Sequence, residues 1–136
     1  METRVEIAAK KHKKGYNCAQ AVACTYCDLV GVDEEMMFKA VEALGLGMGC
    51  MEGTCGAVSG ACVVAGYKNS TANLENPDSK GTTYQLSKNI MEKFTELNKT
   101  TLCKELKGAD TGIVLRKCSD CVMDAARIVE EVLFNQ

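Results

Sequence analysis

The stretch Cys55-Gly-Ala-Val-Ser-Gly-Ala-Cys-Val-Val-Ala65 is small and apolar on every side. A helix without a polar face belongs in the interior of a protein. The expected architecture is therefore all-α: a single-domain helical bundle with this small-residue segment as its buried central helix. Gly56 and Gly60 stand four residues apart, share a face and allow close helix–helix approach. Gly66 is the expected C-cap.

The remaining segments supply amphipathic neighbours. Val5, Ala8, Ala9 and His12 recur at helical spacing over about residues 2–13, and Gly15-Tyr16-Asn17 interrupts them. A second helix is expected over about 18–30, with Cys18, Val22, Tyr26 and Leu29 on one face. Asp33 caps a third, striped by Met37, Ala40, Val41 and Leu44. Residues 68–80 are polar, hold the only proline, and read as a surface loop. A long helix over about 79–97 carries Leu86, Ile90, Phe94 and Leu97. A short turn is expected at 103–106. The last helix, about 121–133, turns Val122, Ala125, Ala126, Val129, Val132 and Leu133 inward. No alternating strand pattern of useful length interrupts this sequence of helices.

The chain has 136 residues, 46% hydrophobic and 25% charged, which suits one domain with a real core. A net charge of −2 favours neither nucleic acid nor an anionic membrane as partner. No apolar run approaches the ~20 residues of a membrane span, so no membrane insertion is expected. The N-terminus lacks a signal-like apolar core, and the expected location is cytoplasmic. Thiols stay reduced there, so nine cysteines, an odd number, do not imply a disulfide scaffold.

Four of those cysteines fall where helices are expected to start. Cys18 follows Asn17, Cys55 follows Thr54, Cys103 follows Thr100-Thr101-Leu102, and Cys121 follows Ser119-Asp120. Asn, Thr and Asp cap helix N-termini, and Thr54 is the expected cap of the central helix. The positive end of the helix dipole favours thiolate, the form that attacks disulfides and ligates metals. Cys118 and Cys121 form a Cys-x-x-Cys pair across an expected helix start. Cys24 and Cys27 form another in mid-helix, where nothing lowers a thiol pKa. Cys50 and Cys55 flank the turn at Gly53 and can approach one centre. Cys62, two turns beyond Cys55, reads as core.

The segment Cys55-Gly56-Ala57-Val58-Ser59-Gly60, with Asn17-Cys18-Ala19-Gln20-Ala21-Val22 before it and Cys103 and Cys121 after it, resembles the C_GCAxxG_C_C family of redox-active proteins. The resemblance covers nearly the whole chain. It implies a mainly helical fold and makes Cys18, Cys55, Cys103 and Cys121 the matching cysteines. A related branch, the split-Soret cytochromes, carries c-type haem with an iron–sulfur centre. This chain has no Cys-x-x-Cys-His, its only histidine being His12, so no c-type haem is expected.

Three function classes follow. Cys18, Cys55, Cys103 and Cys121 are the candidate ligands of an Fe–S cluster or other metal ion in an electron-transfer protein, since clusters are held by cysteine thiolates and zinc also accepts four of them. Alternatively Cys55 attacks and a neighbour resolves in metal-free thiol–disulfide exchange, with Cys118 able to resolve Cys121. The third class is a structural or interaction module with inert cysteines. Either redox class requires a redox partner that the sequence does not name. Cys24, Tyr26 and Cys27 suggest surplus apolar surface on the second helix, and with it a homodimer.

Overall fold

In a computed structural model, which describes residues 1–135, the chain folds into seven α-helices. They are α1 (Val5–Lys14), α2 (Cys18–Tyr26), α3 (Glu34–Val41), α4 (Gly56–Asn69), α5 (Lys80–Asn98), α6 (Cys103–Lys107) and α7 (Cys118–Leu133). A 3₁₀ turn at Cys27–Val30 extends α2, another at Glu42–Leu44 extends α3, and a wide turn at Gly47–Met51 leads to α4. The described residues contain no strand, only one antiparallel bridge between Thr54 and Leu102.

The centre of the bundle holds two helices. On α4, Gly56, Ala57, Val58, Gly60, Ala61, Val64 and Ala65 are buried, as its composition requires. On α2, eight of nine residues are buried. The two helices meet through the glycines: a Cβ at Gly60 would lie 2.6 Å from the Ala19 carbonyl oxygen, and one at Gly56 would lie 3.3 Å from the Ala19 nitrogen. α1, α5 and α7 pack around this pair, and Phe94, Ile90, Met37 and Val129 fill the space between.

Several boundaries differ from expectation. α4 runs through Gly66 to Asn69: Gly66 keeps a negative φ instead of the left-handed conformation of a glycine cap. On α5 the buried stripe is Ile90, Phe94 and Asn98, while Leu97 is 62% exposed. Asn98 takes the inward position because its amide donates to the buried carboxylate of Asp124 at 3.2 Å. Ala40 and Leu29 face outward. Tyr26, Cys24 and Cys27 are buried within the protomer, Tyr26 completely. The Tyr26 hydroxyl reaches the carboxylate of Glu130, with a 2.5 Å contact. The surplus apolar face invoked for a homodimer is therefore already covered by the chain's own core.

Candidate functional site

Helix starts gather the cysteines, by a set that differs in one member from the expected one. Cys18 is the first residue of α2, after an Asn17 capping box: the Asn17 side chain accepts from Gln20 N–H at 2.9 Å, and Gln20 Oε1 accepts from Asn17 N–H at 3.0 Å. Cys55 is itself the N-cap of α4. Thr54 is not the cap; it is held in the bridge to Leu102. Cys103 opens the five-residue α6. α7 begins at Cys118, so Cys118 takes the helix-start position expected for Cys121, which lies one turn further in.

All five of these cysteines line one cavity of about 160 Å³ where the starts of α2, α4, α6 and α7 converge. His12, Leu46, Lys107 and Arg116 complete much of its wall. The thiols are paired. Cys18 and Cys118 interact most strongly with each other, as do Cys55 and Cys121. The neighbours in sequence, Cys118 and Cys121, are thus each partnered by a thiol from a distant segment.

Electrostatics separate the members of each pair. The Cys18 hydrogen bond lowers the pKa of Cys118 to about 5, against opposition from burial, with help from the Lys107 ammonium, 3.4 Å from its sulfur. Cys18 is correspondingly raised by giving that hydrogen bond and by burial, and His12 Nε2 lies 3.9 Å from its sulfur. Cys55 is lowered by the Cys121 hydrogen bond; burial opposes this, and the Ala57 and Val58 N–H groups at the start of α4 favour the thiolate. Cys121 is raised by its donated hydrogen bond and by burial. Cys103 is raised, chiefly by burial and then by the charge of Cys55. Within the two pairs, Cys118 and Cys55 are thus shifted toward thiolate, and Cys18 and Cys121 toward thiol.

The remaining cysteines lie elsewhere. Cys24 and Cys27 are buried at the far end of α2, and burial pushes Cys24 up to about 12. Cys62 is half-buried beside Ser87. Cys50 is exposed, on the wide turn. Five of the six residues 46–51 are left-handed: Leu46, Gly47, Met48, Gly49 and Met51. Each non-glycine there costs about 1 kcal/mol. Met48 and Met51 do not line the cavity; Leu46 does. Glu52 pairs with Lys104 at 3.2 Å, and Asp120 lies 3.9 Å from Arg116.

Lys107, Leu46 and Arg116 were not singled out by sequence reasoning. Lys107 was findable, since it stands four residues after Cys103 and so shares its helix face. Arg116 had no local signal: its guanidinium reaches forward to make two 3.0 Å hydrogen bonds with Asp124.

Such a convergence of thiols at helix starts defines a redox-type, all-α cysteine protein. The chain matches the family model described as "Putative redox-active protein (C_GCAxxG_C_C)" over residues 16–132, and it belongs to that family. No curated protein and no solved structure matches it. Among the described residues, no helix is long and apolar enough to cross a membrane, and no three His, Cys, Asp or Glu side chains are arranged to hold a single metal ion.

Proposed function

We propose that this protein is a small electron carrier that binds an Fe–S cluster in the five-cysteine cavity. The observation that carries the reading is the convergence of Cys18, Cys55, Cys103, Cys118 and Cys121 on one cavity. A single tetrahedral ion needs its thiolates at one point, about 2.3 Å from the metal. A two-iron cluster instead spreads four cysteine ligands over two irons, two on each. The donor set fits chemically: it is all sulfur, in a cavity at four helix starts, whose N–H groups favour an anionic group. Cys18, Cys118, Cys55 and Cys121 would hold the cluster, and Cys103 stands beside them as an alternative ligand. A bound cluster supplies one-electron storage at a potential set by its charge, hydrogen bonds and exposure. The chain's own part is to supply deprotonated sulfur, to offset its charge with Lys107, and to limit water with Leu46 and Leu106.

A second reading rests on the pairing of Cys18 with Cys118. Without metal, the Cys118 thiolate attacks an external disulfide and expels one thiolate. Cys18, deprotonated in turn, then attacks the mixed disulfide at the Cys118 sulfur and releases the second. Single serine variants separate the two readings. Anaerobic reconstitution with iron and sulfide should give visible absorption in wild type and in Cys62→Ser, and weak or no absorption in Cys118→Ser and Cys55→Ser. Equal absorption in all four proteins, or none in wild type, removes the cluster reading.

A further inference from the structure

Cys50 is the one exposed cysteine of the nine, and neither reading above uses it. Its surroundings tie it to the buried Cys103. The Cys50 thiol donates to the Gly47 carbonyl at 3.8 Å. The same carbonyl accepts from Gly53 N–H at 3.0 Å, and the Gly53 carbonyl accepts from Cys103 N–H at 3.1 Å. On its other side Gly47 has no room for a side chain: a Cβ there would lie 2.5 Å from Cys103 Cβ and 3.3 Å from its sulfur. Cys50 and Cys103 therefore flank a single glycine, one on the solvent side and one on the cavity side. The Lys104–Glu52 ion pair ties the turn to α6 across the same junction. Leu46, Gly47, Met48, Gly49 and Met51 of this turn all have positive φ, so strained backbone surrounds Cys50.

We infer that Cys50 and Cys103 form a second redox couple, an outer dithiol that takes its oxidising equivalents from external disulfides. The Cys50 thiolate attacks one sulfur of the external disulfide, which breaks; one thiolate leaves with the bonding electrons and is protonated by water. Cys103, having lost its proton to water, attacks the Cys50 sulfur of the mixed disulfide and expels the second thiolate. Two external thiols are formed, and the chain is oxidised by two electrons to a Cys50–Cys103 disulfide. The step needs only a disulfide small or mobile enough to reach an exposed sulfur, and it involves none of the four paired thiols. Iron uptake by Cys50→Ser keeps its failure distinguishable from failure of the cluster, although Cys103 lines the same cavity.

The test uses full-length reduced protein, oxidised glutathione under anaerobic conditions, and alkylation followed by peptide mapping. Wild type should yield a Cys50–Cys103 disulfide. Cys103→Ser should stop at a Cys50–glutathione adduct, and Cys50→Ser should slow oxidation of Cys103 by about tenfold or more. Iron uptake by Cys50→Ser, an exposed change expected to fold normally, should equal that of wild type. If wild type is oxidised at Cys18, Cys55, Cys118 or Cys121 while Cys50 stays free, the couple is wrong. An unmodified Cys50 in Cys103→Ser overturns it as well. Should Cys103→Ser fail to fold, Cys103 oxidation at the same rate in Cys50→Ser and wild type overturns the couple, and slowing supports it.

Discussion

At the scale of single residues, Lys107 is the sharpest point of the site. The sequence reading passed over it, although it stands four residues after Cys103, and its ammonium lies 3.4 Å from Cys118. In metal-free, reduced protein, alkylation of Cys118 should titrate with a midpoint near pH 5, because its pKa is lowered to about 5. Lys107→Met should move that midpoint upward and slow alkylation at about pH 5 severalfold; an unmoved midpoint would remove Lys107 from the site. Cys24 illustrates the opposite sign. Burial raises it from 9.0 to about 12, so the folded state holds a proton that the unfolded chain releases. Its contribution is present below pH 9 and is lost as pH rises from about 9 toward 12. Chemical denaturation across that range should show a shallower loss of stability in Cys24→Ala than in wild type. Cys27 is raised in the same direction, so the slope should flatten without vanishing.

At the scale of elements, the central pair of helices was half legible. The all-apolar stretch after Cys55 announced α4, and its two glycines announced a close neighbour. That the neighbour is α2 depended on tertiary packing: its Gln20 and Thr25 look polar but are buried with hydrogen bonds to Phe38 and Ala21 carbonyls. Gly60→Ala should cost about 1–3 kcal/mol in denaturant unfolding, since the new methyl meets the Ala19 carbonyl and backbone yields little. An unchanged midpoint would mean that α2 and α4 are not packed so closely. Helix starts were legible at Asn17, where a side chain caps, and also at Cys103, where none does; the start of α7 was placed three residues late. Cys55 occupies the N-cap position of α4 and Lys117 that of α7, neither with a side-chain capping bond. Asn17→Ala should therefore cost about 1 kcal/mol by thermal or denaturant melting. Thr54→Ala should leave the reactivity of Cys55 unchanged, whereas slowing would restore Thr54 as its cap.

At the scale of the whole molecule, the fold works as a collector of helix N-termini. Four chain segments far apart in sequence bring Cys18, Cys55, Cys103 and Cys118 to one cavity, and Cys121 joins them from the second turn of α7. Cys18, Cys55, Cys103 and Cys121, the cysteines expected to converge, all line it; the first three were legible as helix-start thiols, whereas Cys121 lies one turn inside α7. The pairing was not legible, because the interaction of Cys18 with Cys118, and of Cys55 with Cys121, depends on how α2, α4 and α7 cross. The burial of Tyr26 likewise depends on α7, whose Glu130 meets its hydroxyl. The most direct measurement is iron and acid-labile sulfide in protein purified anaerobically, together with its visible spectrum. The cluster account predicts about two irons and two sulfides per chain, with absorption bleached on reduction. Zinc alone, or a colourless protein that takes up neither iron nor sulfide on reconstitution, would contradict it.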